Sequence, residues 1–279
     1  MAAGPLAEQE DPDRTIRRLE KRLRKSEMRR QELEHLMDAS HAFQRRVMED
    51  IEQARAELER VNGALTEEKA LTDQLMTSIM PDHIAEELKR TGRVQPRRAA
   101  SATVMFADFV DFTETTERLD PVDLVGLLDD YYARFDAIIA ECGVEKVKTI
   151  GDAYMCVSGL EPGQEDHAAR MRDAARAILQ AVRDRKRAAR RAGATAWDVR
   201  IGLNSGPLSS GVVGRDRLSY DIWGDTVNTA ARVVKACAVD AILMSDGTRR
   251  LLADSSGISP LGQVEAKGKG AVPVYALET

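Results

Sequence analysis

Two separate segments of the chain each place an aspartate where a buried strand is expected to end. Asp108 follows the apolar run Thr103–Ala107, and Asp152 lies in the tight turn between two further predicted strands, 144–149 and 153–157. Carboxylate oxygens at neighbouring strand ends can hold hard divalent cations, and a pair of such cations can catalyse phosphoryl transfer. Either aspartate alone would usually be a turn or capping residue, so the inference depends on the two occurring together.

A third segment, residues 220–232, combines an amide and a guanidinium at helical spacing. Asn228 and Arg232 lie four residues apart on a predicted helix, so both side chains project from the same face. A neutral hydrogen-bond donor beside a fixed positive charge suits the charge that develops during phosphoryl transfer. Taken alone, Arg232 would be interpreted as half of a surface ion pair. We expect Trp223, in the same segment, to pack in the core.

Together these segments resemble the catalytic homology domain of class III adenylyl and guanylyl cyclases. The resemblance covers approximately residues 100–279 and includes the Lys-Gly-Lys-Gly run at 267–270. It implies an α+β, ferredoxin-like fold that acts as a homodimer, with each active site built across the interface. It also implies conversion of a nucleoside triphosphate into a 3′,5′-cyclic nucleotide and pyrophosphate.

The resemblance assigns a role to individual residues, position by position, and implies two Mg²⁺ or Mn²⁺ ions in each active site. In the family's homodimers the two metal-binding aspartates come from one subunit and the remaining side chains come from its partner. One chain here carries the full set, so a homodimer would have two equivalent sites. The implied roles are metal binding by Asp108, Asp152 and the backbone carbonyl of Phe109, purine recognition by Lys148 and Asp221, ribose orientation and transition-state stabilisation by Asn228 and Arg232, and binding of the terminal phosphates by Lys267.

The two purine-reading positions favour ATP over GTP. Lysine only donates hydrogen bonds and a carboxylate only accepts them, so Lys148 can donate to adenine N1 and Asp221 can accept from the adenine amine. Guanine has the reverse arrangement, with a donor at N1 and an acceptor at O6. Guanylyl cyclases that resemble this sequence carry Glu and Cys-like residues at the two positions. The sequence therefore predicts an adenylyl cyclase that produces cyclic AMP.

Asp111 departs from the family pattern, which usually has glycine at this position. Its carboxylate could add negative charge beside the phosphate path, or it could point to solvent. We favour the solvent-facing interpretation.

The predicted elements around these residues follow the order strand, helix, two strands, helix, strand, which is typical of a ferredoxin-like fold. Asp120 and Pro121 predict a helix start, and Gly143 predicts its end. The next helix is predicted over 166–192 and the next strand over 197–203, and a glycine-rich segment follows as far as Gly214. Further elements are predicted as a helix over 225–236 and strands near 242–244 and 272–277.

The N-terminal third of the chain is predicted to be a helical arm. Residues 1–13 are predicted to be a disordered lead-in, 14–80 the arm, 81–98 a connector and 99–279 the catalytic domain. Pro81 is expected to end the long helix. Apolar residues recur in steps of four and three, which favours a parallel dimeric coiled coil over a solvent-exposed helix carrying ion pairs. This seam comprises Val47, Ile51, Ala54, Leu58, Val61 and Leu65.

Composition excludes several classes of protein. The net charge of −5 argues against nucleic-acid binding. No apolar run approaches the length of a membrane helix, no signal peptide is evident, and the three cysteines lack paired spacing. We therefore expect a cytoplasmic location and no membrane segment. A guanylyl cyclase and a non-catalytic dimerisation module stay as alternatives, and the complete residue set disfavours the second. No sensor domain is recognisable in the sequence.

Overall fold

A computed structural model describes residues 12–266 and 270–278 of the chain. The chain divides into two compact units, Met1–Gln74 and Leu75–Thr279. The helices are α1 (Pro12–Ile79), α2 (Asp82–Thr91), α3 (Phe112–Thr116), α4 (Pro121–Glu141), α5 (His167–Ala192), α6 (Asp225–Ala236) and α7 (Asp246–Arg249). The strands are β1 (Arg97–Phe109), β2 (Glu145–Ile150), β3 (Ala153–Ser158), β4 (Val199–Val213), β5 (Ser219–Trp223), β6 (Ala241–Ser245), β7 (Ile258–Ala266) and β8 (Gly270–Leu277).

One mixed sheet organises the second unit, with strand order β2-β3-β1-β4-β6-β8-β7 and β5 paired to β4. The strands β1, β2, β3 and β4 form an antiparallel core with α4 and α5 as crossover helices. This order confirms the predicted α+β, ferredoxin-like fold. The helix predicted at Asp120-Pro121 is present as α4, and the Asp120 carboxylate accepts a hydrogen bond from the Val122 amide at 2.9 Å.

The two faces of this sheet are covered differently, because side chains alternate along each strand. Met105, Ala107 and Phe109 of β1 belong to a large buried cluster packed against α4 and α5. Val104 and Phe106 point the other way, into a smaller cluster beneath α6. Polar residues of β1 that follow Val104 and Phe106 at every second position therefore lie on the α6 side of the sheet.

The strand predicted over 197–203 is longer in the structure, because β4 begins at Val199 and continues through the glycine-rich segment as far as Val213. It pairs with β1 on one side and with β5 on the other. A Cβ atom at Gly206 would lie 2.8 Å from Thr226 Oγ1 at the start of α6. The strand therefore lacks a side chain here because a helix approaches it closely.

Helix α1 carries an apolar seam on an otherwise charged surface. Of the predicted seam residues, Ile51, Leu58, Val61 and Leu65 are all between 48% and 69% exposed. The same helix carries exposed ion pairs such as Arg55 with Glu59 at 3.0 Å. In the described residues, no helix has both the length and the apolar character that a membrane span needs.

Candidate active site

The backbone brings the two predicted metal-binding aspartates to the same edge of the sheet. Asp108 is the penultimate residue of β1 and pairs in register with Ala153 of β3. Asp152 immediately precedes Ala153, in the two-residue turn that joins β2 to β3. Gly151, the first turn residue, has φ 62°, a conformation that glycine adopts without steric cost. The tight turn therefore holds Asp152 next to Asp108.

An arginine that the motifs do not single out completes this cluster of charges. Arg200 of β4 lies opposite Asp108 in the strand register. Its Nη2 and Nε donate to Asp108 Oδ2 at 2.5 and 2.8 Å. Burial raises the pKa of Asp152, the negative charge of Asp108 raises it further, and Arg200 opposes the shift. Arg200 thus balances two carboxylates that repel each other. The sequence signal for it is one cation within the apolar strand Val199–Leu203.

The chemistry of this donor set fits Mg²⁺ or Mn²⁺, because both ions prefer oxygen ligands. Over residues 12–266 and 270–278, no group of three or more His, Cys, Asp and Glu side chains could hold a metal ion by itself. Asp108 and Asp152 would therefore bind cations together with backbone, water or substrate oxygens. Phe109, whose carbonyl is the third predicted ligand, is 3% exposed, and its ring lies 5.0 Å from the rings of Tyr131 and Trp197. These contacts restrain the backbone beside Asp108.

Tyr132 of α4 is a second residue near the carboxylates that the motifs miss. Its hydroxyl is buried and has no hydrogen-bond partner among the described residues. Burial raises its pKa to about 12, with further contributions from Asp152 and Asp108. The phenol is therefore neutral at physiological pH beside the two carboxyl groups.

The two predicted purine-reading residues are in direct contact. Lys148 on β2 and Asp221 on β5 are 73 residues apart in sequence, yet Lys148 Nζ lies 2.5 Å from Asp221 Oδ2. Their side chains are 37% and 16% exposed. The other carboxylate oxygen of Asp221 accepts from the Ile222 amide at 2.9 Å, which fixes its orientation. A donor-only and an acceptor-only group are therefore held side by side at a partly open surface.

Helix α6 presents the predicted transition-state residues from a rigid base. Asn228 is exposed and Arg232 is half-buried, and no hydrogen bond or ion pair engages either side chain within the described residues. The first turn of α6 is anchored at Thr226, whose hydroxyl donates to the Pro207 carbonyl at 2.7 Å. Asn204, itself buried, donates from Nδ2 to the Thr226 carbonyl at 2.8 Å. The helix is thus fixed, while the side chains of the two predicted transition-state residues are available for a ligand.

The predicted site residues fall into two groups. Asp108, Asp152 and the Phe109 carbonyl form one group, and the Lys148–Asp221 pair and α6 contribute the other. Among the described residues, no hydrogen bond or ion pair joins the groups. Lys267, the predicted phosphate ligand, lies outside the described residues.

Trp223 is 40% exposed, so the expectation that it packs in the core is wrong. Ile222 faces the cluster beneath α6, and the alternation of the strand turns the next residue, Trp223, to the other side. Among the strands that the structure describes, β5 pairs only with β4, so none of the others covers Trp223.

Asp111 adopts a left-handed conformation with φ 55° and ψ 30°. Glycine adopts this conformation more readily than other residues, which gives a backbone reason for the family's glycine at this position. The Asp111 side chain is exposed and makes no capping hydrogen bond to α3. These features support the solvent-facing interpretation.

We expect Asp111→Gly to change the free energy of unfolding by less than about 1 kcal/mol, because relief of the left-handed backbone is offset by glycine's larger unfolded-state entropy. The turnover rate should stay within about twofold, or about 0.4 kcal/mol in activation free energy. Asp111→Val should destabilise the domain by about 1 kcal/mol or more, since a β-branched residue tolerates this conformation poorly. Denaturant unfolding and a nucleotide turnover assay measure both effects. A several-fold faster Gly variant would instead place the carboxylate on the phosphate path.

Comparison with known proteins shows the family to which the chain belongs. Residues 94–279 match the family model described as the adenylate and guanylate cyclase catalytic domain, and residues 19–88 match one described as heme NO binding associated. Human retinal guanylyl cyclase 1 is 38% identical over 214 residues, which is 75% of this chain and 19% of that protein. The chain spans between about a fifth and a third of the length of the curated relatives it matches.

Two solved structures cover the same region. One is the catalytic core of a rhodopsin-guanylyl cyclase with converted specificity, in complex with ATPαS. It is 34% identical with a TM-score of 0.60, and the match covers 66% of this chain and 99% of that one. The other is the adenylyl cyclase CyaB from P. aeruginosa, 29% identical with a TM-score of 0.62, where the match covers 66% of this chain and 96% of that one. This chain belongs to the family of adenylate and guanylate cyclase catalytic domains.

Proposed function

We propose that this chain is an adenylyl cyclase that converts ATP into 3′,5′-cyclic AMP and pyrophosphate in a homodimer. The observation that carries the choice of ATP is the contact between Lys148 and Asp221. A donor and an acceptor held side by side match the acceptor and donor on the edge of adenine, and they oppose both groups of guanine.

The proposed reaction joins the ribose 3′-oxygen to the α-phosphorus and breaks the bond from that phosphorus to the oxygen bridging to the β-phosphate. Pyrophosphate leaves, and the proton of the 3′-hydroxyl passes to water. Divalent cations held by Asp108 and Asp152 would activate the 3′-hydroxyl and offset the charge on the phosphates. Asn228 would orient the ribose, and Arg232 would stabilise the charge on the transferred phosphorus. Lys267 would bind the terminal phosphates.

The alternative substrate is GTP, and retinal guanylyl cyclase 1 among the relatives favours it. The rhodopsin-guanylyl cyclase core with converted specificity holds ATPαS at 34% identity to this chain. A change of nucleotide is therefore compatible with this scaffold, and overall similarity is a poor guide to the purine. The chemistry of Lys148 and Asp221 is the better guide, and it favours ATP.

A homodimer accounts for two features of the single chain. The separation of the site residues into two groups suits a site in which the aspartates of one subunit face α6 of the other. The exposed apolar seam of α1 suits a second copy of the same helix as its partner, in a parallel coiled coil. The match of residues 19–88 to a heme NO binding associated segment suggests that this arm responds to an upstream regulator, such as a heme-based sensor.

Specific activity is expected to fall when the enzyme is diluted below its dimer dissociation constant, because each site needs two chains. A chain that begins at Leu75 keeps the second compact unit but lacks most of the arm. Loss of the seam should raise the enzyme concentration at which specific activity is half-maximal by about tenfold or more. Even one apolar side chain contributes about 1.5 kcal/mol to dimer formation when it is buried. Activity assays over a dilution series, together with sedimentation, measure this. Specific activity that does not depend on concentration in a demonstrably monomeric sample would contradict the dimeric site.

A further inference from the structure

A second side-chain link lies beside the purine-reading pair and joins the same two strands. Tyr220, the residue before Asp221, donates its hydroxyl to Glu145 Oε1 at 2.7 Å. Glu145 lies on β2, three residues before Lys148. Two hydrogen-bonded links, Tyr220 to Glu145 and Lys148 to Asp221, therefore connect β2 with β5.

These links matter because no backbone ladder joins the two strands. In the sheet, β2 pairs with β3, and β5 pairs with β4. The distance between Lys148 and Asp221 is therefore not set by main-chain hydrogen bonds between their strands. Side-chain contacts across the gap therefore contribute to it, and Tyr220–Glu145 is the more buried of the two links, since Tyr220 is only 5% exposed.

A bulge in β2 allows Glu145 and Lys148 to reach the same neighbour. Residues three apart in a regular strand point to opposite faces. The register of β2 against β3 slips between Lys146 and Lys148, which inserts Val147 as an extra residue. Such an insertion re-aims the side chains that follow it. Glu145 and Lys148 consequently both contact β5.

The same tyrosine is packed against the segment that follows the arm. Tyr220 belongs to a buried cluster with Met80, Ile84 and Ala85, the residues on either side of the Pro81 break. The second oxygen of Glu145 lies 3.8 Å from His83 Nδ1. The position of Tyr220 is therefore fixed from two directions, by Glu145 and by the start of α2.

We propose that Tyr220 and Glu145 form a positioning pair that sets the spacing of Lys148 and Asp221 and thereby determines how strictly the purine is selected. This inference rests on the proposed function, in which Lys148 and Asp221 read the purine. Glu145 needs to accept one hydrogen bond for this role and does not need to be charged. Burial, the largest effect, raises its pKa to about 7, although the bond from Tyr220 lowers it, so a neutral acceptor is already populated near neutral pH.

The test compares Tyr220→Phe, Glu145→Ala and Glu145→Gln in the full chain. For each variant, kcat and KM are measured with ATP and with GTP, and dissociation constants for both nucleotides are measured by competition. We expect Tyr220→Phe and Glu145→Ala each to reduce the ratio of the two kcat/KM values by about tenfold, mainly through KM, as expected for a loosened binding edge. Glu145→Gln should stay within about twofold of wild type, because an amide oxygen still accepts from the tyrosine.

Arg183→Ala is the matched control. It removes a partly buried link of similar kind, from Arg183 Nε to Asp240 at 3.0 Å, that touches neither β2 nor β5. The inference is overturned if Tyr220→Phe keeps the wild-type ratio, if Arg183→Ala reduces the ratio equally, or if Glu145→Gln behaves like Glu145→Ala. Should Tyr220→Phe not fold, the Glu145 variants still decide between an acceptor and a purely structural role.

Failure of this inference is distinguishable from failure of the proposed function. A wild-type enzyme that prefers GTP contradicts the assignment of ATP, whatever Tyr220 does. The positioning role is tested only by the change, relative to wild type, in the ratio of kcat/KM for ATP to kcat/KM for GTP. An unchanged ratio in Tyr220→Phe, in an enzyme that prefers ATP, contradicts the positioning role alone.

Discussion

The double substitution Lys148→Glu, Asp221→Cys is expected to shift nucleotide preference from ATP towards GTP by about three orders of magnitude. Each buried polar group left without its partner costs about 1–3 kcal/mol. Two mispaired groups at about 2 kcal/mol each give about 4 kcal/mol, and each 1.4 kcal/mol corresponds to a tenfold change. The measurement is kcat/KM for both nucleotides. Full retention of ATP preference would show that these positions do not read the purine.

The ion pair between the two residues predicts that the single substitutions behave differently from the double. Lys148→Glu alone would place a second carboxylate beside Asp221, where the Lys148 ammonium now lies 2.5 Å from Oδ2, and neighbouring like charges repel. Asp221→Cys alone would leave the Lys148 ammonium without its anion. Both single variants should therefore lose activity with either nucleotide, and only the double variant should gain activity with GTP.

A neighbouring ion pair on the same strand provides a matched control. Lys146 Nζ lies 2.7 Å from Asp136 Oδ2, and the two side chains are 38% and 43% exposed. The equivalent exchange, Lys146→Glu with Asp136→Cys, alters charge within two residues of Lys148 but not at the proposed purine edge. It should leave the ratio of ATP to GTP activity unchanged, even if it reduces stability through the bond from Tyr154 to Asp136.

The second large effect is complementation between inactive chains. Asp152→Asn should abolish activity by removing a metal ligand, and Arg232→Ala should abolish it by removing the transition-state cation. When the two variants are co-expressed, half of the dimers are mixed, and each mixed dimer has one site with both intact groups. Activity should therefore recover to about a quarter of the wild-type value for a two-fold dimer with two equivalent sites.

The control for complementation uses two variants from the same group. Asp108→Asn with Asp152→Asn leaves every site of a mixed dimer with a damaged metal-binding group, so activity should not recover. Recovery in this control, or its absence in the first mixture, would contradict a site shared between subunits. The outcome depends on whether the aspartates at the strand ends and the α6 residues of one site come from different subunits. It does not depend on which nucleotide is the substrate.

Local signals were sufficient to predict the framework of the domain. The Asp120 cap, the helices and the strand ends at Asp108 and Asp152 depend on residues close together in sequence, and the structure has each of them. The extension of β4 through its glycines was not predictable in this way. It depends on pairing with β1 and β5 and on the approach of α6 at Gly206.

Arg200, the Tyr220–Glu145 link and the exposure of Trp223 share one physical cause, which is the pairing of strands that are distant in sequence. Arg200 reaches Asp108 only because β4 pairs with β1 in one particular alignment. Glu145 and Lys148 both reach β5 only because a bulge inserts Val147 into β2. Trp223 is exposed because β5 lies at the edge of the sheet. None of these alignments is encoded in the spacing of residues within a single motif.

The most direct test of the central claim is a competition assay on the wild-type chain. Equal concentrations of ATP and GTP are incubated with the enzyme and Mg²⁺ or Mn²⁺, and both cyclic products are measured from the same sample. The initial ratio of products equals the ratio of the two kcat/KM values. Cyclic AMP should exceed cyclic GMP by about a hundredfold or more, given two mismatches of about 1–3 kcal/mol each for guanine. A predominance of cyclic GMP, or the absence of both products from a dimeric sample, would contradict the proposal.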